Sequence, residues 1–520
     1  MAQQPQVRVY DPRISVRLFK NVARESIAGG DGLGAQAPAS GRFKGSDRII
    51  DLTPFLGENG GVRTSKSVRS PAGGFNITLA DKMFHGSTSQ MESLYGLIEP
   101  MDVIEIRMAH APTAPEYVAD YLALPERLPI VMRGFVSSVR RSEVMTAEGR
   151  PARSIIINGQ DYGKLWQILQ IRYLANYVLG QELLTSLKLA QNYGVNSTSN
   201  FTPNQFVREI IDKVLNKFID EMRKKSGAKD EKGDPVSPVR RIEIFDLRVP
   251  DATISPFGIN TWDGGTLHQL LSHYGDVGPW NELYLEDRED GVAVVYRPNP
   301  FYTPGGDEIT PSSTGEKAAE VSISDADVVS LETGRSDANV ANYFWVDNPS
   351  FALVQSDTLR LQEGGVNPDS YYIQDYRNCA PWLYGIRMMQ LQTNQGQRVD
   401  GQSRETMTRA DGELQSWLNE RRKVIVQSNR DNVVFESGGM VIKGNERVRP
   451  GMYLKVKRGN MEQKVYANQV DHNYMPFRSF TTTVSFDRGT GFIERAKRSS
   501  GQESPYLNEM NAGGAYGGDA

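Results

Sequence analysis

Apolar and polar residues alternate with a period of two in two distant parts of the chain, and the two parts share a plan. The first lies between Pro100 and Asp161. Pro100-Met101-Asp102 opens into the run Val103 to Met108, Ile130 to Val139 follows a Pro-rich loop, and Arg153 to Gly159 closes it. The second lies between Arg449 and Gly489. Arg449-Pro450-Gly451 opens into Met452 to Lys457, a hairpin at Gly459-Asn460 leads into Gln463 to Val470, and Phe480 to Phe486 ends at Asp487-Arg488-Gly489. In each part a proline turn launches a strand, a second strand carries two valines (Val136 and Val139; Val465 and Val470), and a β-branched strand ends near glycine. Period-two alternation gives one buried and one wet face, so each part predicts antiparallel sheet curled into a small barrel. Two similar barrels in one chain imply a ring built from few subunits.

Other stretches extend this plan. Val7 to Phe19, Ile49 to Phe55 and Phe75 to Ala80 read as strands, the last with Phe75, Ile77 and Leu79 on one face; Ser93 to Ile98 reads as a short amphipathic turn. The spacing then changes. Tyr162 to Asn192 suits helix, and Thr202-Pro203-Asn204-Gln205 is a helix start with threonine at the N-cap, proline at the first position and glutamine three residues after the cap. The stripe from Phe206 through Ile210, Val214 and Phe218 to Met222 predicts a helix packed on a domain core. Arg241 to Val249 reads as strand, Gly264 to Tyr274 as a short helix, and Trp280 to Glu286 with Val292 to Pro298 as a hairpin across Asp287 to Gly291. Val321 to Thr333 and Asn342 to Val346 read as strands, and Leu383 to Leu391 and Thr408 to Arg421 as helices. Ala28 to Ser46 and Ser499 to Ala520 are too rich in small residues to bury much.

The expected fold class is therefore α+β, mainly β. A first barrel spans 1–161, a helical linker 162–235 and a small α+β domain 236–320. A second barrel spans 321–347 and 423–495, a mixed and helical insertion 348–422, and a flexible tail 496–520.

Composition narrows the function by exclusion. A chain of 520 residues with 39% hydrophobic and 23% charged residues is that of an ordinary globular protein, and a net charge of -4 gives no argument for a polyanionic partner. The 1 cysteine, Cys379, forbids an internal disulfide and reads as a core filler beside Tyr376 and Trp382. No apolar run is long enough for a membrane span and the N-terminal stretch has no signal-peptide core. Of the 5 histidines, His268 and His273 are five apart and do not share a helix face as a metal-binding pair would. Gly30-Asp31-Gly32-Leu33-Gly34 neither follows a convincing strand nor opens a helix, so it fails as a phosphate loop. Asp325, Asp327 and Glu332 echo a calcium loop without its glycine, and Glu286-Asp287-Arg288-Glu289-Asp290 reads as a solvated hairpin tip. The basic clusters Arg140-Arg141, Arg240-Arg241 and Arg421-Arg422-Lys423 lack interleaved aromatics. No catalytic, cofactor-binding or metal-ligating residue is assigned, no cofactor is implied, and an enzyme is not expected.

The residues resemble the phage baseplate hub family, which contains the hub of T-even phages and the late control protein D proteins. The resemblance runs in order through Phe75 to Leu79, Ile98 to Ile106, Arg133 to Val139 and Asn158 to Leu165. It continues through Asn281 to Tyr284, Tyr296 to Phe301, Gly334 to Phe344, Val470 to Tyr474, Phe480 to Val484 and Asp487 to Gly489. It implies two tail-tube-like barrels per subunit and a homotrimer that presents a pseudo-sixfold ring. That ring would mate with the hexameric tail tube protein on one side and the trimeric central spike protein on the other, among other baseplate proteins. It would pass viral DNA through a channel without a strongly positive wall. The implied place is the virion tail baseplate, assembled in the bacterial host cytoplasm, with no membrane insertion. A tail-associated peptidoglycan hydrolase, the tip hub of a non-contractile tail and a hub of a phage-like secretion device stay open as alternatives.

Overall fold

The computed structural model describes residues 11–21, 49–57, 60–85, 91–113, 128–145, 149, 151–170, 202–225, 237–254, 265–347, 375–396, 404–458 and 461–489. The predicted loop at 28–46, the helix beyond residue 170, the tail and the hairpin turn at 459–460 lie outside these residues. The architecture is mainly β with antiparallel sheets.

The first part of the chain contributes β1 (Arg13–Phe19), β2 (Ile49–Asp51), β3 (Gly61–Ser67), β4 (Gly74–Ala80), β5 (Met83–His85), β6 (Met91–Ser93), β7 (Val103–Ala109), β8 (Ile130–Met145) and β9 (Pro151–Asp161). The middle contributes β10 (Ile244–Leu247), β11 (Thr253–Ile254), β12 (Asn281–Arg288) and β13 (Gly291–Pro298). The last part contributes β14 (Glu320–Ser324), β15 (Val328–Gly334), β16 (Tyr343–Asp347), β17 (Met388–Gln392), β18 (Gln395–Gly396), β19 (Glu436–Lys443), β20 (Tyr453–Arg458), β21 (Met461–Met475) and β22 (Ser479–Gly489).

Among the described residues, one 13-stranded sheet joins the two ends of the chain in the order β15-β19-β22-β21-β3-β4-β9-β8-β7-β1-β2, with β20 on β21 and β14 on β20. Alternation explains its strands. In β4, Phe75, Ile77 and Leu79 are buried while their neighbours are half-buried, and they join Val16, Ile104, Ile106, Met132, Ile155 and Ile157 in the first core. A second core forms from Met440, Ile442, Leu454, Val456, Val465, Val470, Val484 and Phe486.

Between them sits a small α+β unit. β12 and β13 pair antiparallel and β10 joins β13 in parallel. The helix start at Thr202 is a capping box: Thr202 Oγ1 accepts from the Gln205 N–H and the Gln205 side chain accepts from the Thr202 N–H. Helix runs from Pro203 to Lys225 with one wider turn at Ile211–Leu215. Its apolar stripe packs with Trp166, Leu271 and Tyr296 in the largest core.

Three local expectations are corrected. Val321 to Thr333 is two strands, because Asp325–Asp327 forms a 3-10 turn between β14 and β15. Leu383 to Leu391 is not a helix. Helix covers only Pro381–Tyr384, Gly385 takes φ 71 and ends it, and Met388–Gln392 is β17, paired in parallel with β16. β16 and β17 thus form their own two-stranded sheet, outside the large one. The acidic hairpin tip is a solvated turn only in part: Glu289 and Asp290 are exposed, but Glu289 accepts from Arg107 Nη1 at 2.8 Å and from the Ile130 N–H at 2.6 Å, and Asp287 is buried.

Candidate assembly interface

The two halves of the large sheet repeat one topology. In the first, strands lie side by side in the order β1-β7-β8-β9-β4-β3; in the second, in the order β14-β20-β21-β22-β19-β15. Each strand also occupies the same rank along the chain in both units. The direction of the outermost pair differs, since β1 runs antiparallel to β7 while β14 runs parallel to β20.

Details finer than topology repeat as well. Both long strands carry a bulge in their pairing to the next strand, between Val136 and Ser138 in β8 and between Ala467 and Gln469 in β21. Both launching turns place a residue at positive φ directly after the proline, Met101 at 74° and Gly451 at 84°. In the first turn the Asp102 N–H bonds to the Glu99 carbonyl at 3.1 Å, which closes a turn of the kind that needs positive φ at its third position.

The two units meet edge to edge. The N-terminal half of β21 pairs with β20, and its C-terminal half, Gln469 to Tyr474, pairs antiparallel with β3 from Ser67 to Val62. This seam buries Val62, Thr64, Val470 and His472. On the outer face Arg63 reaches the Asp471 carboxylate at 3.4 Å. His472 Nδ1 lies 2.9 Å from Thr482 Oγ1, and burial lowers the pKa of its ring to about 4.

That shift has a sign. The folded protein holds His472 neutral while the unfolded chain takes a proton near 6.5. Stability from this group is complete above pH ~6.5 and is lost as pH falls toward ~4, a loss of about 3 kcal/mol. A His472→Asn variant is expected to show a shallower fall in urea stability between pH 7 and pH 4.5 than the parent; parallel curves would exclude His472 as the source.

The central α+β unit clamps both halves. Lys66, on β3, forms ion pairs with Asp161 at 3.3 Å and with Asp287 on β12. Burial works against the Lys66 charge, but Asp287 and Asp161 outweigh it and hold its pKa above the ordinary value. Arg107 and Arg133 share Glu105 at 2.6 and 3.1 Å. Arg133 also donates to the Gly291 carbonyl at 3.1 Å, so the hairpin tip docks on β7 and β8. On the second unit, Arg297 pairs with Glu282 at 2.6 Å and donates to the Gly451 carbonyl at 2.5 Å. Burial and the Glu282 carboxylate push the Tyr466 phenol far up, so it stays protonated and donates to Glu282 at 2.5 Å. Arg449 Nη1 reaches Glu286 at 3.2 Å, and the His110 N–H donates to Glu446 at 2.9 Å.

Residues weighed for chemistry are dispersed. Cys379 is buried, and burial raises its thiol pKa. His268 sits against Trp166 at 5.0 Å between ring centroids, and burial lowers its pKa to about 4. His273 lies near Asn394, with Nδ1 3.3 Å from the amide nitrogen. Asp327 pairs with Lys443 at 3.3 Å, and Glu332 is exposed on β15. Among the described residues no group of three or more His, Cys, Asp or Glu could hold a metal ion, and no helix is long and apolar enough to cross a membrane.

No protein-family model matches the chain, and no curated protein matches it. Solved structures similar to it include tail proteins and a component of the type VI secretion system. The tail protein from Neisseria meningitidis MC58 is 10% identical with a TM-score of 0.44, over 92% of this chain and 97% of that one. The 43 kDa tail protein of prophage MuSo2 from Shewanella oneidensis is 14% identical with a TM-score of 0.40, over 85% and 95%. A prophage tail protein from Listeria monocytogenes EGD-e is 10% identical with a TM-score of 0.35, over 90% and 95%.

Proposed function

We propose that this chain is the structural hub of a phage tail baseplate. Three copies form a ring whose six similar units face the sixfold tail tube on one side, while the other side receives the threefold central spike. The ring surrounds the channel through which viral DNA passes, and the chain performs no chemistry on a substrate. One observation carries this reading: two units with the same strand order are joined edge to edge within one chain. A threefold ring of such chains offers a near-sixfold face, which is what joining a threefold to a sixfold partner requires. The sequence resemblance to the hub family supports the same assignment, with the virion baseplate as its place.

The test is the mass of the purified protein by light scattering, alone and with its tail-tube and spike neighbours. A trimer that binds either neighbour is the expected result. A monomer that never assembles, even with both present, overturns the proposal, and cell-wall hydrolysis would then be the activity to assay.

A further inference from the structure

The seam inside the chain leaves a matching pair of edges open. β21 uses its whole length, pairing with β20 through one half and with β3 through the other. Its counterpart β8 does not. Its N-terminal half pairs with β7, but on that side Ser138 to Met145 have no strand among the described residues; they pair only with β9. The counterpart of β3 is β15, which pairs only with β19 among the described residues. β15 is also far more exposed than β3. Val62 and Thr64 are buried, whereas Leu331 is half-buried and Thr333 exposed. Exposed strand edges of this kind pair readily with another chain.

We infer that β15 of one subunit pairs antiparallel with the C-terminal half of β8 of the next, reproducing between chains the β3–β21 seam. This rests on the hub proposal and specifies its subunit contact. The register follows from rows of partners across the sheet. In the first unit Ser138 faces Asn158, which faces Asn76, which faces Arg63. In the second Gln469 faces Ser485, which faces Gly439, which faces Glu332. So Ser138 is equivalent to Gln469, Arg140 to Asp471, Ser142 to Asn473, and Arg63 to Glu332. Within the chain Arg63 faces Asn473, and between chains Glu332 therefore faces Ser142.

Charge supports the pairing independently. The internal seam has Arg63 on the edge strand and Asp471 on the long strand, 3.4 Å apart. The equivalent residues are Glu332 and Arg140, both exposed, so the ion pair reappears with its signs exchanged. The exchange also discriminates. A β15 edge offered to β21 would set Glu332 against Asp471, and a β3 edge offered to β8 would set Arg63 against Arg140. Like charges at both wrong seams disfavour them. Each chain thus carries one edge of each kind, and the contact is head to tail, which closes into a ring when the rotation permits.

The test is cross-linking in the full chain. The Ser142→Cys, Glu332→Cys double variant, oxidised in the assembled protein, is expected to give a ladder of covalent species that ends at three chains. Ser142→Cys with Thr333→Cys puts the second thiol on the opposite sheet face and is expected to give none. Charge reversal gives a second readout: Arg140→Glu or Glu332→Arg alone is expected to weaken association by about 5-fold per seam at low salt, and the two together to restore it. A trimer by mass that cross-links through neither pair, or that ignores both charge reversals, overturns this seam while leaving the hub proposal standing. A protein that stays monomeric with its neighbours overturns both.

Discussion

Lys66→Ala is expected to destabilise the folded chain by about 3–5 kcal/mol, because it strands two buried carboxylates. Lys66 is the cation between Asp161 at 3.3 Å and Asp287. The Asp161 and Asp287 side chains are 5% and 2% exposed, so bulk water solvates neither carboxylate. Asp161 keeps backbone bonds from the Gly163 N–H at 2.9 Å and from Gly73, too little to hold a buried charge beside another. Burial already raises the Asp161 pKa in the intact protein, ahead of the opposing pull of Lys66. In the variant the Asp161 carboxyl is driven further toward the neutral form, so the deficit shrinks as pH falls. Urea unfolding of parent and variant at pH 7 and pH 4.5 measures this. Lys66→Met, which keeps the aliphatic stem, is expected to lose nearly as much. If methionine restored stability, packing rather than charge would be the cause.

Gly159→Ala comes second in expected effect, at about 3 kcal/mol. A Cβ on Gly159 would lie 2.1 Å from Phe75 Cζ and 2.4 Å from the Phe135 carbonyl oxygen. The aromatic ring lies on one side and backbone on the other, so movement of one side chain cannot relieve both. Gly134, on the neighbouring strand, is equally confined, its Cβ falling 2.3 Å from the Gln160 carbonyl oxygen. Phe75 thus covers two glycines that let β8 and β9 approach beneath it. Combining Gly159→Ala with Phe75→Leu is expected to cost less than the sum of the separate losses, since the smaller side chain yields space. Strict additivity in thermal or urea unfolding would contradict this account.

The sequence pattern carried the elements whose burial follows their own alternation. Phe75, Ile77 and Leu79 announce β4, and the proline turns at Pro100 and Pro450 announce the two strands that follow. The helix start at Thr202 was equally plain, because capping is chemistry local to four residues. What the pattern did not carry is the joint between the halves. β3, Gly-Val-Arg-Thr-Ser-Lys-Ser, has one apolar residue, and its buried positions include Thr64. A strand stabilised by ladder bonds on both sides and by an ion pair needs little apolar alternation, so nothing in seven residues marks it. The repeat was visible as three strands per copy and proves to involve six, since the others are separated from them by long insertions. The acidic hairpin tip misled for a related reason. Charges that meet Arg107 and Lys66 from distant segments look, along the chain, like charges that meet water. Leu383 to Leu391 misled through composition, because a single glycine at positive φ converts a helix-like run into one turn and a strand.

The internal seam also sets an order in time. Arg63 and Asp471 are 408 residues apart, and translation at about 5–20 residues per second takes roughly 20–80 s to cover that distance. Throughout that interval the first unit carries β3 as a bare edge near the ribosome, beside nascent copies on the same message. Charged side chains on that strand, Arg63 outward and Lys66 toward the central unit, make it a poor template for indiscriminate pairing. The strand that finally covers it is among the last to be made. A chain truncated before β21 is therefore left with its first edge permanently open, and synthesis that stalls late produces the species most prone to join the wrong neighbour.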